Sequence, residues 1–199
     1  CIRDSTGTTS SPSVYTATGT GGTYTVTAST EYGSPYQAYV PFSSVSNPVS
    51  NYWAISSQNL TNQYIQVQLP SSQNIVYIWA IGHSFPTTPE YFNTFLLQGS
   101  NTGSSFSNIT VQYNTITNTS TQSEMMILVP ADSTNYTYYR LFFPTSVSWG
   151  GLSNCRFFTV NNSYGYPEGT LTPYLYTSPP IFNLAILDGR CPLTFTTNG

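Results

Sequence analysis

Lysine is missing from this chain altogether, and charge of either sign is scarce. Four arginines (Arg3, Arg140, Arg156, Arg190), seven carboxylates and one histidine are spread over 199 residues, so charged side chains make up 6%. An ordinary soluble domain carries about 25%. With no basic run and a net charge of -3, the chain lacks the clustered cations that displace counterions from nucleic acid. It has no electrostatic attraction to an anionic membrane surface either. No apolar run approaches the roughly 18 residues of a membrane-spanning helix, so no membrane insertion is expected, and no signal peptide is visible. A chain that starts at Cys1 reads as a processed product or a fragment.

Reactive chemistry is equally thin. A single histidine, His83, rules out a multi-histidine metal site, and Cys1, Cys155 and Cys191 are too far apart for zinc-type cysteine pairs. The carboxylates Asp4, Asp132, Asp188, Glu31, Glu90, Glu124 and Glu168 are all isolated in sequence, and nothing supports a glycosidase pair. There is no Gly-x-Ser-x-Gly elbow and no phosphate loop. No catalytic residue, metal or cofactor is assigned.

What is present is Ser, Thr, Asn, Gln and Tyr, which must cover the surface, and a set of short strands. Tyr64, Gln66 and Gln68 alternate with Ile65, Val67 and Leu69, the period of a half-buried strand. Pro70 is expected to end it, since proline donates nothing to a ladder. Ile75 to Ile81 is a nearly continuous apolar strand, and Phe95 to Asn101 a third that runs into a turn at Thr102-Gly103. Further strands are expected around Ile109 to Ile116, Met125 to Val129 and Tyr136 to Phe143. A polar hairpin tip falls at Asn118 to Ser123. No helix-length segment separates them, so stacked antiparallel sheets follow. Residues 1–34 read as a Ser/Thr/Gly-rich arm with one alternating strand, Thr23 to Ala28, added to a neighbouring sheet. The sandwich proper is expected over 35–160. Residues 161–199 form a Tyr/Pro-rich extension that wraps back or docks on a neighbouring subunit.

The order of "YIQVQLP", "IVYIWAIGH" and "FLLQGSNTGSSFSNI", followed by "YRLFFPTS", resembles the discoidin (coagulation factor 5/8 type C) domain, a galactose-binding-like fold. The resemblance covers about residues 36–160. It implies an all-β, antiparallel jelly-roll β-sandwich whose loops present the working surface. It places Ala38 and Trp53 in the core and Arg140 in an internal bond, for which Glu124 or Asp132 is the expected partner. It implies that Cys1 pairs with Cys191 to clamp the chain ends. Cys1 with Cys155 is the alternative, because Cys155 opens the closing strand; one thiol is left over in either case. Calcium, held by first-loop acids in some sugar-binding relatives, is not expected, since residues 37–62 contain no Asp or Glu.

The candidate ligand contacts are aromatics and neutral hydrogen-bonding groups in loops. Tyr52, with Tyr39 and Phe42, offers flat apolar faces for a sugar ring or a partner surface. The loop after Gly82 holds His83 and Glu90 to bond hydroxyls and Tyr91 or Phe85 to stack; His83 capping a strand end is the alternative. Trp149, between Ser148 and Gly150-Gly151, is the leading stacking platform. Five sequons, at Asn59, Asn108, Asn118, Asn135 and Asn161, are candidate glycosylation sites if the chain passes through a secretory pathway. The chain is thus expected outside the cytoplasm, secreted or on a virion surface. It would bind a carbohydrate or glycoprotein there, or pack against homo-oligomer or filament neighbours as a structural subunit.

Overall fold

The computed structural model describes residues 13–43, 51–82, 94–118, 122–130, 133–145 and 150–165, with the backbone alone over 112–118 and 122–125. Strict alternation drives the architecture. In β4 (Gln63–Gln73), Ile65, Val67 and Leu69 are buried while Tyr64, Gln66 and Gln68 face outward. In β10 (Tyr136–Phe143), Tyr139, Leu141 and Phe143 point in, and Tyr138, Arg140 and Phe142 point out. Burying one face of each strand forces a second layer over it, and the chain supplies one.

Sheet 1 runs in the order β1-β2-β4-β10-β6-β7, adding β1 (Tyr15–Gly19), β2 (Gly22–Ala28), β6 (Leu96–Ser100) and β7 (Ser107–Ile109). Sheet 2 runs β12-β11-β5-β9-β8, from β5 (Tyr77–Gly82), β8 (Gln112–Asn118), β9 (Gln122–Leu128), β11 (Gly151–Phe158) and β12 (Ser163–Tyr164). The short β3 (Trp53–Ala54) pairs with β11. Every pairing is antiparallel. The core between the sheets holds Val26, Ile65, Val67, Leu97 and Leu141 from one side and Ile78, Ala80, Ile127, Cys155 and Phe157 from the other. A 3-10 turn, Val40–Phe42, inserts Phe42 between the layers, where it stacks on Phe157 at 6.2 Å. Burial of each such side chain contributes roughly 1.5–3 kcal/mol. No helix among the described residues is long and apolar enough to cross a membrane.

Several expectations are corrected. Pro70 does not end its strand: β4 continues through it to Gln73. The register with β10 slips between Tyr138↔Gln68 and Tyr136↔Gln73, leaving extra β4 residues without opposite partners. A proline in such a bulge gives up no ladder bond. The sandwich is also wider than 35–160. β2 pairs with β4, burying Tyr24, Val26 and Ala28, and Tyr164 of β12 is fully buried. The β1–β2 hairpin closes one margin by bonding across to sheet 2. Thr20 N–H donates to the Ser163 carbonyl at 3.2 Å, and Ser163 N–H donates to Thr20 Oγ1 at 2.7 Å. Gly21 sits so close over the Tyr164 ring that a Cβ would collide with its hydroxyl. Residues 166–199, most of the expected C-terminal extension, lie outside the described residues.

Trp53 is in the core, as expected, with Nε1 donating to the Thr30 carbonyl at 2.9 Å. Ala38 is buried as well. Arg140 bonds a neutral partner: its Nε donates to Gln98 Oε1 at 2.6 Å, because β6 lies beside β10 in the register Arg140↔Gln98. Of the expected partners, the Glu124 side chain and all of Asp132 lie outside the described residues.

Candidate functional site

Strand ends gather at one end of the sandwich. β5 finishes at Gly82, opposite Leu152 near the start of β11, while Gly151 opens β11 opposite Ala54 of β3. In sheet 1, β6 opens at Leu96 opposite Phe142, and β4 opens at Gln63 opposite Phe143. The Trp53 and Phe143 rings, 6.3 Å apart, join these two sets of ends. The connections from β5 to β6 and from β10 to β11 therefore begin and finish here. His83, Glu90 and Tyr91 belong to the first and Trp149 to the second; all four lie outside the described residues.

The described part of this end is a tyrosine ladder. Tyr32 meets Tyr36 edge-on at 5.6 Å, and Tyr36 meets Tyr52 at 4.8 Å. The backbone holds the ladder against β3: Tyr32 N–H donates to the Ala54 carbonyl at 3.0 Å and Ala54 N–H to the Tyr36 carbonyl at 3.3 Å. Tyr32 and Tyr36 are half-buried, whereas Tyr52 is completely covered. This overturns its assignment as a stacking face. Gly151 passes directly against its ring, so the neighbouring chain occupies the place a sugar would need.

Beside the ladder, at the β1 margin, lies a cavity of about 180 Å³ lined by Tyr15, Thr16, Ala17, Val26, Tyr39, Phe42 and Ser43. Its walls come from β1, from Val26 of β2 and from the turn around Val40–Phe42. The inward positions of β1 supply Tyr15 and Ala17, and the turn around Val40–Phe42 supplies Tyr39 and Ser43. The Tyr15 and Tyr39 rings meet at a tilt of 46°, with centroids 4.9 Å apart. Glu31 braces them: Oε2 accepts from the Tyr15 hydroxyl at 3.0 Å, and Oε1 accepts the Ala38 N–H at 2.8 Å. Burial, assisted by Glu31, raises the Tyr15 pKa above its ordinary 10.0, so this hydroxyl stays protonated at neutral pH. The volume is below the roughly 300–1,000 Å³ of drug-sized pockets, a size for one ring and not for a long chain. The sequence offers Tyr39 as an exposed loop aromatic but does not single out Tyr15 or Glu31. Their only signal was the strand alternation of an arm read as peripheral.

Cys155 is a free, fully buried thiol, so the alternative bridge to Cys1 is not formed. Burial pushes its pKa far above the ordinary 9.0, leaving an inert thiol. Cys1 and Cys191 lie outside the described residues. Asn59, Asn108, Asn135 and Asn161 are exposed, while Asn118 ends β8, where the backbone alone is described. Among the described residues no group of three or more His, Cys, Asp or Glu side chains could hold a metal.

These two antiparallel layers have the galactose-binding-like β-sandwich fold. No family's sequence pattern matches the chain, and no curated protein does. Among solved structures, the module CpGH89CBM32-5 from Clostridium perfringens, in complex with GalNAc-beta-1,3-galactose, superposes with a TM-score of 0.50. The identity is 16%, over 71% of this chain and 95% of that one. The family 32 CBM of Clostridium perfringens NanJ, in complex with galactose, gives a TM-score of 0.49 and 14% identity, over 71% and 93%.

Proposed function

We propose that this chain is a non-catalytic glycan-binding module working outside the cytoplasm, secreted or on a virion surface. It would hold sugar at the loop end of the sandwich. The observation that carries the reading is the tyrosine-lined cavity braced by Glu31 at the β1 margin, in a fold shared with a structure solved in complex with GalNAc-beta-1,3-galactose. Neutral hydroxyls and flat rings, with no acid pair among the described residues, suit binding of a neutral sugar without bond cleavage. His83 and Glu90 would bond hydroxyls, and Tyr91 and Trp149 would supply further stacking faces from the two loops anchored at the loop end. Galactose- and GalNAc-terminated glycans are the first to try. A glycan array with the native protein should give signal that falls on Trp149→Ala and on Tyr39→Ala. A folded native protein that binds nothing on the array would remove the proposal.

A second reading, a structural subunit of a glycosylated filament or viral capsid or fibre, is favoured by one observation. The edge strand β1 is a regular run of Tyr, Thr, Ala and Gly without charge or proline, next to Val14, which is 66% exposed. Edge strands without charge or proline accept strands from other molecules. Negative-stain imaging of native material decides: filaments or shells support packing through the terminal arms, and dispersed monomers exclude it.

A further inference from the structure

The outer face of sheet 1 carries an aromatic platform that neither reading uses. The register sets its side chains in rows across the strands. Tyr64, Phe142 and Leu96 form one row; Gln66, Arg140, Gln98 and Asn108 form the next. At about 4.8 Å per strand, the second row extends over roughly 14 Å. Outer faces of sandwiches are ordinarily polar, yet here Leu96 is 37% exposed beside two half-buried rings.

Arg140 is the centre of this surface. Its guanidinium lies 3.8 Å over the Phe106 ring and 5.0 Å from both Tyr64 and Phe142. Its Nε is taken by Gln98 Oε1, and Gln98 Nε2 is anchored on Asn108 Oδ1 at 2.7 Å. The fork is thus fixed from one edge. Of the five guanidinium N–H donors, the four on the two Nη atoms are not used by that bond. No carboxylate answers this charge among the described residues, and burial lowers the Arg140 pKa. Arg156, the other described arginine, is buried and bonded to Ser163, so Arg140 is the one described cation at a surface.

We infer that this face is a second binding site, for a carboxylate-bearing saccharide of the uronate type, with the carboxylate on the Arg140 Nη groups and the ring against Tyr64 and Phe142. A planar fork pairs with a carboxylate through two parallel hydrogen bonds. The flat, amide-edged surface suits a hydroxyl-rich ring, and it is distinct from the tyrosine cavity. The inference rests on the glycan reading for the class of ligand and not for the place of binding.

The test titrates the native chain with trigalacturonate, its methyl ester and neutral galactotriose, by calorimetry and amide chemical-shift mapping. Trigalacturonate should bind about ten-fold more tightly than its ester at ~0.01 M salt, a gap that closes near ~1 M. The shifts should fall on β4, β10 and β6. Arg140→Lys, which keeps the charge but loses the fork, should abolish most of the preference. Leu96→Glu, at an exposed position that folding tolerates, should weaken trigalacturonate several-fold and leave galactotriose unchanged. Equal affinity for acid and ester, shifts confined to Tyr15, Glu31 and Tyr39 around the cavity, or equal binding of a poly-glutamate peptide would each overturn the inference. Loss of galactotriose binding alone, with the uronate preference intact, would count against the loop-end site and leave this one standing.

Discussion

One atom, the Tyr139 hydroxyl, ties three backbone groups of two segments together, and its removal gives a sharp test of the packing. Tyr139 Oη donates to the Gln73 carbonyl at 2.8 Å, lies 3.4 Å from the Thr134 carbonyl, and accepts the buried Ile75 N–H at 3.4 Å. Tyr139→Phe keeps the ring and its edge-on contact with Tyr136 at 5.7 Å. The short bond to Gln73 is worth about 1 kcal/mol net, and leaving the Ile75 N–H without a partner costs at least ~1 kcal/mol more. A destabilisation of about 2 kcal/mol is expected, or ~4–8 °C in Tm for a chain of this size. Urea unfolding should show a lower midpoint with an unchanged slope. Burial raises the Tyr139 pKa above 10.0, so the hydroxyl stays protonated and the loss should be flat from neutral pH up to about pH 9. Tyr138→Phe is the control: it lies on the outer face, and its hydroxyl makes no hydrogen bond among the described residues. A Tyr139→Phe effect under ~0.5 kcal/mol, the range of ordinary surface substitutions, would refute the account.

Cys155 should make stability fall on the alkaline side. Its folded pKa is raised, so the stability it contributes is complete below the ordinary 9.0 and is lost as pH rises above that value. The slope is about 1.4 kcal/mol per pH unit, and Cys155→Ala should flatten it in urea melts taken across pH 8 to ~10.5. Gly99→Ala should destabilise by more than ~2 kcal/mol, because the new Cβ lands inside the Tyr136 ring; a neutral result in thermal melts would mean that ring moves freely. Pro70→Ala should change stability by less than ~1 kcal/mol, since the position is exposed and opposite no ladder partner; a large loss would place a hidden contact there. Glu31→Ala should weaken binding of any sugar that Tyr39→Ala weakens, because it removes the brace on Tyr15; unchanged binding on the same array would detach the cavity from function.

Much of the fold could be read directly. Period-two alternation from Gln63 to Leu69 and from Tyr136 to Phe143 places each residue on the side it occupies, because a half-buried strand leaves no other arrangement of Ile, Val and Leu. The arm was underestimated for a related reason: with threonine at every outward place, Tyr24, Val26 and Ala28 are few, yet they are the only side chains β2 must bury. Pro70 misled because a bulge depends on the partner strand, which local sequence does not reveal. Arg140 and Gln98 are 42 residues apart, and only the β10–β6 register brings them together. Tyr52 shows why loop aromatics are hard to assign: outside a strand no period says which way a ring turns, and this one is covered by Gly151.

The cross-link between Thr20 and Ser163 joins residues 143 positions apart, close to both edges of the sandwich. Any truncated gene that begins after Ala28 would unroof Tyr164 and strip β4 of a neighbour in the same cut. Fusions and tags therefore belong upstream of Ser13, since the first hairpin is a seam of the folding unit and not a leader to be trimmed.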